Sequence, residues 1–333
     1  AGCDAIHPGY GFLSENAGFA EECAKEGIIF VGPSPEALRL FGDKAQARAL
    51  AEKEGVPLFP GTNGATSLEE ARAFMAQVNA PGLPKAAAGG GGRGMRAVSD
   101  AKELAEAYER CRSEATAAFG SGDIYVEKLV RKARHIEIQI VGDGKTVIDL
   151  GERECTLQRR HQKVVEIAPS PTLDYAMRKR LTEAARKLAG AASYKGLGTF
   201  EFLIDTEAKN ADSAIAFMEA NPRLQVEHTV TEEVTGVDLV KTQLRIAGGA
   251  TLKEVGLTET PVPRGFAIQL RVNMERMDET GAAVPTGGVL NTFNPPSGPG
   301  IRVDTFGYAG YRTSPNYDSL LAKLIAHSPS PAY

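Results

Sequence analysis

Residues 219–227 read Glu219-Ala220-Asn221-Pro222-Arg223-Leu224-Gln225-Val226-Glu227. Polar side chains fall on every second position, with Ala220, Pro222, Leu224 and Val226 between them. In extended chain, alternate side chains project to opposite sides. The spacing therefore predicts one face carrying Glu219, Asn221, Arg223, Gln225 and Glu227 together. Glu219 and Asn221 are hard oxygen ligands of the kind Mg²⁺ takes, and the rest of the face suits an anion. A merely solvated edge strand would show Lys, Thr and mixed charges, and would not explain Pro222. The strand expected to pair with this one, residues 199–205, brings Glu201 within reach of the same ions.

Outward from this point the pattern is mainly antiparallel strands. Ile136, Ile138 and Ile140 alternate with polar residues, which predicts a strand with one buried face. Asp143-Gly144 is a hairpin turn signal, and a helix of about 20 residues is expected over 173–192. The run Gln158-Arg159-Arg160-His161-Gln162-Lys163 fits either a solvated charged strand or a small phosphate patch. His135 and His161 alone read as hydrogen-bonding residues. Arg271 is a surface residue, unless it points into the same cleft as Arg223.

Residues 58–130 look like a separate small α/β module. Ser67 with Glu70, and Asp100 with Glu103, have capping-box spacing before two helices. Between them lies Lys85-Ala86-Ala87-Ala88-Gly89-Gly90-Gly91-Gly92-Arg93-Gly94. Uncovered backbone N–H groups of such a run can wrap a polyphosphate, with Lys85 and Arg93 adding charge. It is neither a Walker loop nor the spaced dinucleotide fingerprint, and a flexible linker would be richer in Ser. Pro84 is expected to disturb a strand leading to Lys85.

Residues 1–57 also read as α/β: a strand at 3–6, a helix at 15–26, a buried strand at 28–31, and a helix at 43–54. Asp43 precedes that last helix and Gly55 follows it, the usual polarity of caps. Lys44 at its start opposes the helix dipole, which suggests a compensating anion.

Over the 333 residues, 42 acidic side chains face 38 basic ones, and the net charge is −4. That argues against a nucleic-acid or anionic-membrane binder, and no apolar run approaches the ~20 residues of a membrane helix. Cys3, Cys23, Cys111 and Cys155 are too scattered for a zinc site or a disulfide framework. They read as reduced thiols, and the chain reads as cut at both ends.

Together these segments resemble the biotin carboxylases of the ATP-grasp superfamily. The matching motifs run from His7-Pro-Gly-Tyr-Gly-Phe-Leu-Ser-Glu-Asn16 and Gly42-Asp-Lys44 through the glycine loop, Glu127-Lys128 and residues 154–166. They continue through Gly198-Thr-Phe-Glu-Phe-Leu203, residues 219–228, Tyr308-Ala-Gly-Tyr311 and Tyr317-Asp-Ser319. The resemblance implies an α/β (α+β) ATP-grasp fold in three parts. Residues 1–58 would be the end of an N-terminal parallel-sheet domain, 59–129 a glycine-loop lid, and 130–333 an incomplete mixed α/β C-terminal domain. Relative to the family, the opening of the N-terminal domain and the closing helices are missing, and Ala220 stands where Met is usual.

The resemblance also assigns roles. Lys44, Lys85, His135 and the loop glycines Gly90, Gly91 and Gly92 would meet ATP phosphates. Glu127, Lys128 and Val130 would meet adenine, largely through backbone, with Gln158 and His161 as further nucleotide contacts. Glu201, Glu219 and Asn221 would hold Mg²⁺ or Mn²⁺, and Lys163, Arg223, Gln225 and Val226 would hold bicarbonate. Glu227 would be the general base, Arg271 would steady the biotin enolate, and Tyr10 would also touch biotin. The implied partners are a biotinylated carrier, a carboxyltransferase and a second copy in a homodimer. The implied location is the cytoplasm, or the mitochondrial matrix in a eukaryote. Two other readings are a carbamoyl-phosphate synthetase-like ligase and a non-catalytic ATP-binding scaffold. The runs at 158–163 and 223–228 favour the carboxylase.

Overall fold

The computed structural model describes residues 2–62, 64–87, 94–160, 162–208, 210, 214–279 and 281–330. Gly90, Gly91, Gly92 and His161 lie outside the described residues. The chain opens with β1 (Ala5–Ile6), a 3₁₀ turn (Phe12–Glu15), α1 (Ala17–Lys25), β2 (Ile29–Phe30), α2 (Pro35–Gly42) and α3 (Lys44–Lys53). β1 and β2 pair in parallel. The strand expected at 28–31 shrinks to two residues, and Ile29 is exposed. Asp43 does cap α3, its Oδ1 accepting from Ala45 N at 2.9 Å and Gln46 N at 3.1 Å.

Next come α4 (Leu68–Val78), β3 (Gly82–Ala86), α5 (Ala101–Phe119) and β4 (Ile124–Lys128). Ser67 and Glu70 form the full capping box. Asp100 caps α5, but Glu103 accepts from Ser99 N instead of closing the second box. β3 runs straight through Pro84, contrary to expectation. The reason is parity. Bonds to the β4 side fall on odd residues, with Leu129 N donating to Pro81 O and Ala87 N to Asp123 O. Even residues face 94–98, where Gly82 N reaches Val98 O and Ala86 N reaches Gly94 O. The donor Pro84 lacks belongs to that second edge, so the β3–β4 ladder is untouched.

The remainder contains β5 (Ala133–Asp143), β6 (Val147–Arg159), β7 (Gln162–Ala168), α6 (Tyr175–Ala191), β8 (Lys195–Asp205) and β9 (Ile215–Asn221). It continues with α7 (His228–Thr235), α8 (Leu239–Ala247), β10 (Phe266–Asn273), β11 (Glu275–Met277) and β12 (Ala283–Pro285). It ends with β13 (Gly288–Val289), β14 (Ile301–Thr305), β15 (Arg312–Thr313) and β16 (Leu320–Ser328). Eight of these strands form one sheet in the order β14-β16-β10-β7-β6-β5-β8-β9. Every pairing in it is antiparallel.

On one face, Ile136, Ile138 and Ile140 pack with Phe200, Phe202, Phe217 and α6 residues such as Leu181 and Leu188. The other face lies under α7 and α8 and includes Val141, Leu150, Leu197, Leu239 and Ile246. β5 is therefore buried on both sides, and the polar positions expected to meet water do not. Glu137 and Gln139 have no exposed surface. They are tolerated there because Arg153 on β6 binds both. Among the described residues no helix is long and apolar enough to cross a membrane.

Candidate active site

Strand register builds the site. Arg153 on β6 stands opposite Glu137 on β5, Glu137 opposite Glu201 on β8, and Glu201 opposite Glu219 on β9. Directly opposed residues point to the same face, so three carboxylates line up across neighbouring strands. Like charges in that arrangement repel, and it stands only because cations are inserted among them.

Lys163, on β7, is the central cation. Its Nζ lies 2.5 Å from Glu137 Oε2, 2.8 Å from Glu227 Oε1 and 2.9 Å from Glu201 Oε1. Burial works against its charge, but Glu137, Glu201 and Glu227 outweigh burial and hold the ammonium well above the ordinary lysine range. Glu201 also accepts from Asn221 Nδ2 at 2.7 Å and Gln225 Nε2 at 2.9 Å, and lies 2.5 Å from His135 Nε2. Gln158 Nε2 meets the other ring nitrogen, Nδ1, at 2.7 Å, which leaves Nε2–H to donate to Glu201. Burial would raise the Glu201 carboxyl, but Lys163 and His135 hold it well below the usual range.

Glu227 bridges two cations. Its second oxygen, Oε2, is 3.0 Å from Arg271 Nη2. Burial opposes ionisation, yet Lys163, Arg271 and Arg153 keep Glu227 charged far below the ordinary carboxylate range. Arg271 Nε in turn donates to Glu166 Oε1 at 2.6 Å. Burial pushes Glu166 up to about 7, with Arg271 pulling it down and Glu227 pushing it further up. The Tyr10 hydroxyl is raised above its ordinary value by burial and by Asp318, with Arg271 acting against them.

The alternation expected through residue 227 fails halfway. β9 ends at Asn221, the chain turns through 222–227, and α7 starts at His228. Pro222 marks that break, since it lacks the donor a further ladder bond needs. Asn221, Gln225 and Glu227 nonetheless reach the cluster, from a strand end, a loop and a helix start respectively. Arg223 turns to Glu15 Oε1 at 2.5 Å and Asn221 Oδ1 at 3.2 Å, so it borders the cluster through Asn221. The Val226 carbonyl accepts from Lys323 Nζ at 3.2 Å. Lys44 Nζ lies 3.2 Å from Glu219 Oε2, giving that lysine the anion expected beside a helix start.

Lys85 and Glu127 lie apart from this cluster in a buried triad. Glu127 binds Lys85 Nζ and Arg48 Nη1, each at 2.5 Å. Burial would raise its carboxyl, but Lys85 and Arg48 hold it below the usual range. Lys128 and Val130 follow, both half-buried. Sequence reasoning missed Arg48, Glu137, Arg153 and Glu166. For Glu137, Arg153 and Glu166 the signal was charge inside strands rich in Ile, Val and Cys, which also describes a half-solvated sheet; Arg48, on α3, reads as an ordinary helix-surface arginine.

For a divalent cation, Glu201 and Glu219 put carboxylates on one face of paired strands, with Asn221 two positions beyond Glu219. The oxygen-only donor set suits Mg²⁺ or Mn²⁺. Ligand atoms of His135, Glu137 and Glu201, and of Glu137, Cys155 and Glu227, also come within 4.8 Å of one another. Lys163 bonds two carboxylates of each group, so its ammonium already serves as their cation.

Comparison with known proteins covers nearly the whole chain. Residues 43–255 match the carbamoyl-phosphate synthase L chain, ATP binding domain. Residues 1–38 match the biotin carboxylase N-terminal domain, and 269–332 the biotin carboxylase C-terminal domain. A biotin carboxylase of Nostoc is 48% identical over 331 residues, covering 98% of this chain and 72% of that protein. Human mitochondrial pyruvate carboxylase is 51% identical over 328 residues, covering 97% of this chain. The chain spans only 27% of that enzyme's length. The biotin carboxylase domain dimer of Hydrogenobacter thermophilus 2-oxoglutarate carboxylase, solved with MgADP, ADP and bicarbonate, superposes with a TM-score of 0.92. It is 43% identical, and the match covers 99% of this chain and 71% of that one.

Proposed function

The chain belongs to the biotin carboxylase family, and on that premise we propose that it carboxylates the ureido nitrogen of carrier-bound biotin, using ATP and bicarbonate. The observation that carries the reading is Glu227, an ionised carboxylate held between Lys163 and Arg271 in a nearly dry site.

Lys44, Lys85, His135 and the loop of Gly90, Gly91 and Gly92 receive the ATP phosphates. Adenine lies against Glu127, Lys128 and Val130, with Gln158 and His161 completing the nucleotide contacts. Glu201, Glu219 and Asn221 hold the divalent cation, which when bound neutralises phosphate charge. Lys163, Arg223, Gln225 and the Val226 backbone hold bicarbonate in line with the γ-phosphoryl group. Glu227 takes the bicarbonate proton. Lys163 and Arg271, the cations that hold down its basicity, are also the groups that meet bicarbonate and biotin. As they turn to the substrates, Glu227 loses its partners and becomes a stronger base.

A bicarbonate oxygen attacks the γ-phosphorus as the bond to ADP breaks, giving carboxyphosphate. This breaks to CO₂ and phosphate, phosphate takes the ureido N–H proton, and the nitrogen adds to CO₂. Arg271 offsets the charge that develops on the biotin oxygen, with Tyr10 beside it. Residues 59–129 close over the nucleotide and keep water from the intermediate. The carrier, a carboxyltransferase and a second copy of the chain are its partners, in line with relatives built as dimers and multidomain carboxylases. We place it in the cytoplasm, or in the mitochondrial matrix of a eukaryote, as the free cysteines and the mitochondrial relatives favour.

The test is ATP cleavage by this chain with Mg²⁺. The reading expects cleavage that depends on bicarbonate and rises with free biotin. Dependence on ammonia would assign the carbamoyl-phosphate synthetase-like reaction, and absence of turnover would assign a scaffold.

A further inference from the structure

Among the described residues Arg153 is one of the largest side chains with no exposed surface, and its hydrogen bonds go to Glu137, Gln139, Thr231 and Thr199, none of them assigned to a substrate. Its guanidinium ties β6 to three other elements. Nε donates to Glu137 Oε1 on β5. Nη1 reaches Gln139 Oε1 on β5 at 2.8 Å and Thr231 Oγ1 on α7 at 2.9 Å. Nη2 reaches Thr199 Oγ1 on β8 at 3.2 Å. Glu137 has one oxygen on Arg153 and the other on Lys163 Nζ at 2.5 Å.

A stability role alone would not require this geometry, because an apolar side chain can fill a buried position at less desolvation cost. What the geometry does is fix where Glu137 sits, and Glu137 is one of three carboxylates fixing Lys163. Through Thr231, one turn after Glu227, the same guanidinium also ties down the helix on which the base is mounted. We propose that Arg153 is the positioning residue for the bicarbonate half of the site, acting through Glu137 on Lys163. This rests on the function proposed above. It predicts that Arg153 matters for bicarbonate far more than for nucleotide.

The test measures binding of bicarbonate in the presence of MgADP, and of MgADP itself, by calorimetry, alongside ATP cleavage and thermal unfolding. Arg153→Lys keeps the charge but not the fork that holds four acceptors. It is expected to weaken bicarbonate about tenfold or more while MgADP affinity stays within about twofold. Thr231→Val, a near-isosteric change that does not threaten folding, should weaken bicarbonate by a smaller factor. In Glu137→Gln protein, adding Arg153→Lys should cause little further loss, because both changes cut the same link.

Unchanged bicarbonate affinity in Arg153→Lys would overturn the proposal. So would parallel loss of both ligands with a lower melting temperature, or losses that simply add with Glu137→Gln. If Arg153→Lys does not fold, Thr231→Val decides by the same bicarbonate measurement. Bicarbonate binding without ATP cleavage in the wild type would sink the proposed reaction, yet leave Arg153 to be judged on affinity. No bicarbonate binding at all would sink both.

Discussion

Arg271 sits where two carboxylates compete for one guanidinium, Glu166 at 2.6 Å and Glu227 at 3.0 Å. If its work is to offset charge on the biotin oxygen, Arg271→Ala should slow biotin carboxylation roughly 10²–10³-fold and leave ATP affinity nearly unchanged. Steady-state kinetics with free biotin and a nucleotide titration read the two effects separately, and a large loss of ATP affinity would contradict the role. His228, one residue past Glu227, bears on stability instead. Burial, aided by Lys323, pushes its imidazole down to about 3, while its ring Nδ1 lies 2.8 Å from the Gln225 carbonyl. The folded state thus prefers the neutral ring. The stability this gives is intact above the unfolded value near 6.5 and is lost as pH falls toward 3. Between pH 7 and 5.5 the cost from this one group is about 1 kcal/mol. Urea unfolding of His228→Asn should show that much less acid sensitivity than wild type, and equal sensitivity would count against the assignment. None of these partnerships was legible in the sequence, where His228 was only part of a motif. Arg271 was ambiguous there because a strand arginine looks the same whether it faces water or a cleft.

At the scale of elements, the β5–β6 and β8–β9 hairpins were legible from alternation and turn chemistry, whereas the β5–β8 pairing that joins them was not. The caps of α3 and α4 were legible from Asp43, Ser67 and Glu70, because those signals are local. What alternation could not report is what covers the second face. Glu137 and Gln139 read as solvated because the helices over that face of the sheet, α7 and α8, come roughly 100 residues later in the chain, beyond any short-range pattern. The same long range governs Tyr194. Its hydroxyl donates to Leu197 O at 3.0 Å, and its ring centroid lies 5.9 Å from that of Phe41 and 6.1 Å from that of Phe200. Gly142 and Gly198 make room for it. A Cβ at Gly142 would run into the Tyr194 carbonyl, which is backbone and cannot swing away, and one at Gly198 would meet the ring. Gly142→Ala should therefore cost roughly 1–3 kcal/mol, read from the midpoint of chemical denaturation at unchanged slope. A neutral result would show that the β5–β6 hairpin and the Tyr194 loop can part without loss.

The molecule as a whole has more than one hydrophobic core, and the division bears on how it moves. Ala71, Met75, Val98, Leu104 and Val126 form one cluster, and Ala86, Tyr108, Cys111, Ala115 and Ile124 another. Both draw only on residues between 68 and 126. The large sheet has its own clusters, into which α2, α3 and α6 pack. What ties the smaller unit back is mostly polar. Glu127, held by Lys85 on β3, reaches Arg48 on α3, whose Nη2 also donates to the Phe59 carbonyl at 3.2 Å. A unit with its own core and a polar tether can open without unfolding the rest. Amide hydrogen exchange should therefore find the slowest amides of β3 and β4 exchanging through an opening of lower free energy than those of β5, β6 and β8. Glu127→Gln leaves two buried cations with a weakened partner, which should lower protection around β3 and β4 well before it touches the large sheet. If the nucleotide binds between the units as proposed, MgADP should narrow the gap by stabilising the closed state through mass action. Equal protection across both sets of strands, moved together by Glu127→Gln, would mean that the protein unfolds as one body. The unit carrying Lys85 would then have no independent motion with which to close over a nucleotide.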